Sequence, residues 1–243
     1  MKYQIFILLA TLLLINSCNN PKQQEDPVEE QLKIINQKAI ARIDSTLRSM
    51  VESGQVAGVS SLIFEKNEEV YFNAFGFADK EAGIPMDRNT IVKIYSMTKP
   101  ITGTALMTLH EKGAFQLDDP ISTYAPEFTN MQVYTGVDDS GNMILEPANR
   151  PITIRDVTRH TGGFTYHTNL PVLGKLMNEV GSLAKENTLK QMGEKLASLP
   201  LLFHPGTQWE YGISVDVQAY LVEKISGQPF DQYEEKIYWI LWV

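Results

Sequence analysis

Two neighbouring runs in the first third of the chain, AGVSSLIFEK (Ala57–Lys66) and EVYFNAFGFA (Glu69–Ala78), constrain the fold more than any other feature. Both are rich in β-branched and aromatic residues and only the polar NEE step joins them, so they read as a β-hairpin. Ahead of them, Leu32, Ile35, Ala39, Ile43, Leu47 and Val51 recur at helical spacing up to Gly54, which predicts an amphipathic helix from Leu32 to Val51. Downstream the pattern changes. SMTKPITGTALMTLHEKGAF predicts a helix that stops at Gly113 and buries Ile101, Ala105, Leu106 and Leu109. Further helices are predicted over Leu183–Leu199 and over SVDVQAYLVEKISG, the latter capped by Gly227. PITIRDVTRHTGGF predicts a short extended stretch, a helical turn and a Gly-Gly break, and DDSGNM an exposed turn. Two early antiparallel strands thus follow one helix, and the remainder is mostly helix and loop.

The 243 residues are 43% hydrophobic and 21% charged, enough for one large core or two subdomains and incompatible with disorder throughout. A formal net charge of -8, with acids and bases interspersed, argues against a phosphate-binding surface and against nucleic acid as a partner.

The opening MKYQIFILLATLLLINSC runs from Lys2 through an apolar stretch, Ile5 to Ile15, that is short for a membrane span and reads as a secretory signal segment over residues 1–17. INSC resembles the bacterial lipobox, in which the cysteine becomes the lipidated first residue. Cys18 is the chain's one cysteine and has no other to pair with. The expectation is a lipoprotein of the bacterial cell envelope, held to the membrane through lipid on Cys18 and facing the periplasm or the surface. Residues 18–30, with NNPKQQEDPVEE, then form a polar tether, and residues 31–243 the folded part.

The stretch IYSMTKP (Ile94–Pro100) places Ser96 three residues before Lys99, on one face of a helix. That is either a helix cap beside a solvated lysine or a nucleophile beside its base. A serine hydroxyl is a poor nucleophile unless a neighbouring group takes its proton. At a helix start its backbone N–H and the positive end of the dipole also face an incoming carbonyl, and Pro100 is tolerated in the first turn. Spacing alone proves little, since about one Ser-x-x-Lys is expected by chance in a chain this long. A second one, SLAK (Ser182–Lys185), is taken as a surface pair on the Leu183–Leu199 helix. His110, His160, His167 and His204 are scattered without metal-like spacing, so neither a metal nor another cofactor is expected.

IYSMTKPITGTALMTLHEKGAFQLDDPISTYAPEF, ITIRDVTRHTGGF and FHPGTQWEYGISVDVQAYLVEKISGQPF, taken in order, resemble the serine β-lactamase and penicillin-binding-protein superfamily, above all its class C-like esterase and peptidase branch. The resemblance implies an α+β fold of the β-lactamase/DD-peptidase type, an antiparallel sheet flanked by helices with a helical subdomain. It also implies that Ser96 is acylated, that Lys99 is its base, and that Tyr211, in WEYGIS, relays a proton between Ser96, Lys99 and the leaving group. Ile213 stands where a β-lactamase carries asparagine, which shifts the expected substrate from lactams towards small-molecule or peptide acyl compounds, esters above all. YFN (Tyr71–Asn73) imitates the tyrosine motif but sits on a predicted strand ahead of the serine. HTG (His160–Gly162) imitates the family's third box, yet falls where relatives have a structural turn, so His160 reads as a satisfied loop or core histidine.

The third box itself, Lys-Thr-Gly or His-x-Gly on a late strand, does not occur after Tyr211. The expectation is an incomplete domain that lacks the late strands of its sheet, exposes an apolar face and is unstable or inactive alone. Within the same family stand a D-amino-acid peptidase or penicillin-binding protein and, outside enzymes, a catalytically dead module that binds peptidoglycan stems or a partner protein.

Overall fold

The computed structural model describes residues 35–241. The signal segment, Cys18, the tether and the first residues of the predicted Leu32–Val51 helix lie outside the described residues. Two compact units part between Val92 and Lys93.

In the first unit, helix α1 (Gln37–Glu52) begins where Asn36 accepts a hydrogen bond from the Ala39 N–H. Its Ala39, Ile43 and Leu47 positions are half-buried. Strands β1 (Gly58–Glu65) and β2 (Glu68–Asp79) pair antiparallel, and the two-residue β3 (Ile84–Pro85) adds to β2. The turn falls at Lys66 and Asn67, both with left-handed φ (53° and 63°), as tight hairpin turns require. Asp44 of α1 ties helix to hairpin by accepting from Tyr71 OH (2.7 Å) and Asn73 Nδ2 (3.0 Å). YFN is thus a structural link, as its place on a strand suggested. On the same unit Leu62 and Phe64 of β1 are half or more exposed, at 50% and 59%.

In the second unit a 3-10 turn, Tyr95–Met97, leads into helix α2 (Thr98–Glu111), which buries Thr102, Ala105, Leu106 and Leu109. Strands β4 (Gln132–Val137) and β5 (Met143–Pro147) form a second antiparallel hairpin. Sequence reading found its Asp138–Asn142 tip but not its strands, because Gln132, Thr135, Gly136 and Glu146 break the apolar alternation. Helices α3 (Ile154–Thr158), α4 (Leu173–Val180), α5 (Leu189–Ala197), α6 (Ser214–Ser226) and α7 (Phe230–Leu241) follow. The predicted helix over Leu183–Leu199 is corrected at its start. Gly181, at φ 59°, ends α4, and α5 begins only where Thr188 and Gln191 close a capping box. SLAK therefore lies in the intervening turns. Ser182 is buried there, so the pair is not a surface pair on a helix.

Helix α6 buries Val217, Ala219, Tyr220, Leu221 and Val222 and packs against α2, α3, α5 and α7. Its one buried amide, Gln218, donates to the Val157 carbonyl at 2.9 Å. A ladder of main-chain bonds crosses the unit: Leu201 N–H to Gln132 O and Tyr134 N–H to Leu201 O (both 2.8 Å), then Leu202 N–H to Gly163 O (2.8 Å) and Gly206 N–H to Thr161 O (2.8 Å). The β4 strand, the Leu201–Gly206 segment and the HTGG turn are thereby held in one register. Helices combined with small antiparallel sheets make the fold α+β.

Candidate active site

Ser96 lies in the 3-10 turn rather than in α2 itself, one step after Tyr95, whose φ of 46° is left-handed and uncommon for an aromatic residue. Met97 N–H bonds back to Ile94 O at 3.0 Å and closes the turn. The hydroxyl is exposed, and Lys99, in the first turn of α2, is half-buried. Lys99 Nζ donates to Ser96 Oγ at 3.2 Å. The capping role for Ser96 fails, because the structure records no side-chain cap for α2.

Tyr211 arrives from the far side of the sequence. Its phenol oxygen is 3.0 Å from Ser96 Oγ and its ring centroid 5.0 Å from Lys99 Nζ. The loop that carries it runs beside the HTGG turn: Glu210 N–H bonds to His160 O (3.0 Å) and Gly212 N–H to His160 Nδ1 (3.3 Å). At Gly212 a Cβ would come within 2.6 Å of Phe164 O and 2.9 Å of Thr165 Cα, so only glycine lets the loop approach so closely. Ile213 is buried in the core, which explains why an apolar residue occupies that position.

Electrostatics favour proton movement here. Lys99 first, then the Ser96 hydroxyl, hold the Tyr211 phenol below its ordinary range, against desolvation and the Asp216 charge. Lysine, serine and tyrosine heads thus meet within hydrogen-bond reach, the geometry by which a hydroxyl can lose its proton to either neighbour. Below them a cleft of about 380 Å³ is lined by Tyr95, Lys99, Tyr166, Leu189, Val215 and Phe230, among others.

All three residues singled out in the second unit converge. Sequence reasoning did not find their supports. His160 is a half-buried loop residue with a satisfied ring nitrogen, but it also stacks on Tyr211, with centroids 5.2 Å apart and planes at 22°. Tyr166 packs edge-on against Tyr211 at 6.2 Å and donates to Asp216 Oδ2 at 3.1 Å; burial first, then Asp216, push its phenol pKa up. The repeated aromatics around HTGGFTYH and QWEY were the available signal. Among the described residues no group of three or more His, Cys, Asp or Glu side chains could hold a metal, and no helix is long and apolar enough to cross a membrane.

A sequence model of the family described as Beta-lactamase matches residues 43–238. Esterase EstB of Burkholderia gladioli is 30% identical over 194 residues, covering 78% of this chain and 46% of the esterase. EstCE1, a hydrolase with promiscuous acyltransferase activity, superposes with a TM-score of 0.69 at 28% identity, covering 81% of this chain and 49% of its own. Simvastatin synthase (LovD) from Aspergillus terreus gives 0.69 at 26% identity, covering 81% and 51%. The chain spans about half the length of the curated relatives it matches. With the family model matched over 196 residues, 43 through 238, and the same fold in the solved relatives, the chain belongs to the beta-lactamase family.

Proposed function

We propose that this chain carries the nucleophilic part of a serine hydrolase that works by acyl transfer on small esters. Ser96 Oγ attacks the carbonyl carbon while its proton passes to Lys99. The tetrahedral adduct collapses as Tyr211 hands a proton to the departing alkoxide and regains one from Lys99, leaving an acyl-serine beside a neutral lysine. Water then attacks that ester and returns the serine hydroxyl and a free acid. The observation that carries the reading is the meeting of Ser96 Oγ with Lys99 Nζ at 3.2 Å and Tyr211 OH at 3.0 Å. The esterase and acyltransferase names of the relatives support acyl esters as the substrate class. So do the apolar residues on either side of the serine, Tyr95 and Met97, which stand 80% and 69% exposed.

The missing third box predicts a chain inactive alone, whereas the assembled Ser96, Lys99 and Tyr211 heads favour reaction, so a fluorophosphonate probe should label the wild-type chain at Ser96 and leave Ser96→Ala unlabelled. Labelling by penicillin in preference to an ester probe would point to the peptidase reading, and no label from either to a binding module. Cys18 is proposed as a lipid anchor in a bacterial envelope: radiolabelled palmitate should enter the wild type and not Cys18→Ala.

A further inference from the structure

Three contacts converge from His160 on the loop that bears Tyr211. The imidazole stacks on the phenol ring, Nδ1 accepts from the Gly212 N–H at 3.3 Å, and the carbonyl accepts from the Glu210 N–H at 3.0 Å. The N–H groups of the two residues flanking Tyr211 and one face of its ring therefore rest on a single residue, itself held at a left-handed φ of 59°. The Trp209 ring, tilted by 55°, lies 6.2 Å from the same imidazole.

We propose that His160 is a positioning residue for Tyr211, acting as a neutral imidazole with its proton on Nε2 so that Nδ1 can hold the loop and the ring can hold the phenol against Ser96. This rests on the roles given above to Ser96 and Tyr211. Nδ1 can accept the Gly212 N–H only while it keeps its lone pair; a second proton would set donor against donor and loosen the loop. The charged and titratable groups that face the ring are Lys99 from α2, Asp216 from α6, and Tyr211 with the Tyr166 behind it; the contact of His167 Nε2 with the Glu210 carboxylate, 2.9 Å, lies on the adjoining loop. Burial first, and then Lys99, hold the imidazole below its ordinary range, while Asp216 opposes them.

Two substitutions separate the ring's tasks. His160→Phe keeps a stacking surface but offers no acceptor, so the rate of fluorophosphonate labelling at Ser96 should fall about 10- to 100-fold, as expected for a displaced reacting group. His160→Asn tolerates the left-handed backbone and presents an oxygen to the Gly212 N–H without titrating. It should stay within about tenfold of wild type near neutrality and lose the step that the imidazole adds to the acidic limb below the ordinary histidine range, while the step set by Lys99 remains. Both variants labelling at the wild-type rate, or a His160→Asn profile that keeps the step assigned to the imidazole, would overturn the proposal. Nitrogen-15 NMR of the full chain reads the state directly: an Nε2–H tautomer supports it, and an Nδ1–H tautomer or an imidazolium at neutral pH defeats it. Absence of label on wild-type Ser96 would overturn the role of Ser96 itself, and that of His160 with it.

Discussion

The Ser96 hydroxyl and the Tyr211 phenol, 115 positions apart in sequence, share a hydrogen bond of 3.0 Å. Tyr211→Phe removes the phenol and keeps the ring. The rate of Ser96 labelling should drop by about 10²- to 10⁴-fold, the usual worth of a positioned proton-transfer group, while intact-protein mass spectrometry still finds any label on Ser96.

Lys99 is the leading cause of the low Tyr211 phenol pKa. Lys99→Met should therefore raise the pH at which this phenol ionises. Ultraviolet difference titration, subtracting the matching Tyr211→Phe variants, isolates that one tyrosine. An unmoved titration would show that Lys99 does not act on the phenol.

Asp156 anchors the start of α3. It is 1% exposed and accepts from Arg150 Nη1 (2.6 Å) and Nη2 (2.9 Å), from the Thr153 N–H and hydroxyl, and from Thr161 Oγ1. Burial alone would raise its pKa; Arg150 and the threonines outweigh it and bring the carboxyl down to about 2. Because the folded value is depressed, the stabilisation is complete above the ordinary carboxylate range near 4 and is lost as pH falls through about 2. That is about 2 kcal/mol of stability. Asp156→Asn should lack this acid-dependent part in urea unfolding measured at successive pH values.

Sequence reading located the three side chains that converge more readily than the frame that holds them. Ser96, Lys99 and Tyr211 stand in motifs whose chemistry names them, and the runs at Ala57 and Glu69 announce their hairpin by composition. The β4–β5 hairpin gave no such sign, since its pairing is main-chain and its side chains are mixed. Ser182–Lys185 misled because a helix was expected from Leu183, whereas turns closed by the Ala184 and Asn187 N–H groups occupy that stretch and α5 begins only at Leu189. His160 was legible as a loop residue, but its contact with Tyr211 exists only once the 160 and 210 segments lie side by side.

Gly212→Ala tests that side-by-side packing. The added methyl meets backbone atoms of Phe164 and Thr165, which cannot swing aside. The substitution should destabilise the fold by about 1–3 kcal/mol. It should also slow Ser96 labelling by about 100-fold through the shifted phenol, read in the same assay on protein shown to be folded by circular dichroism.

The main-chain ladder from β4 through Leu201 to the HTGG turn makes the two ends of the second hairpin unequal in what they permit. Its tip is closed by its own Asp138, which accepts from the Ser140 and Asn142 N–H groups at 2.9 and 2.8 Å, so length can change there without a signal passing inward. At Gln132–Tyr134 a slip of one residue would turn Val133 out of the core and, through Leu201 and Gly163, shift the seat of Tyr211. A strand remote from Ser96, Lys99 and Tyr211 thus acts as the ruler that sets where their side chains meet.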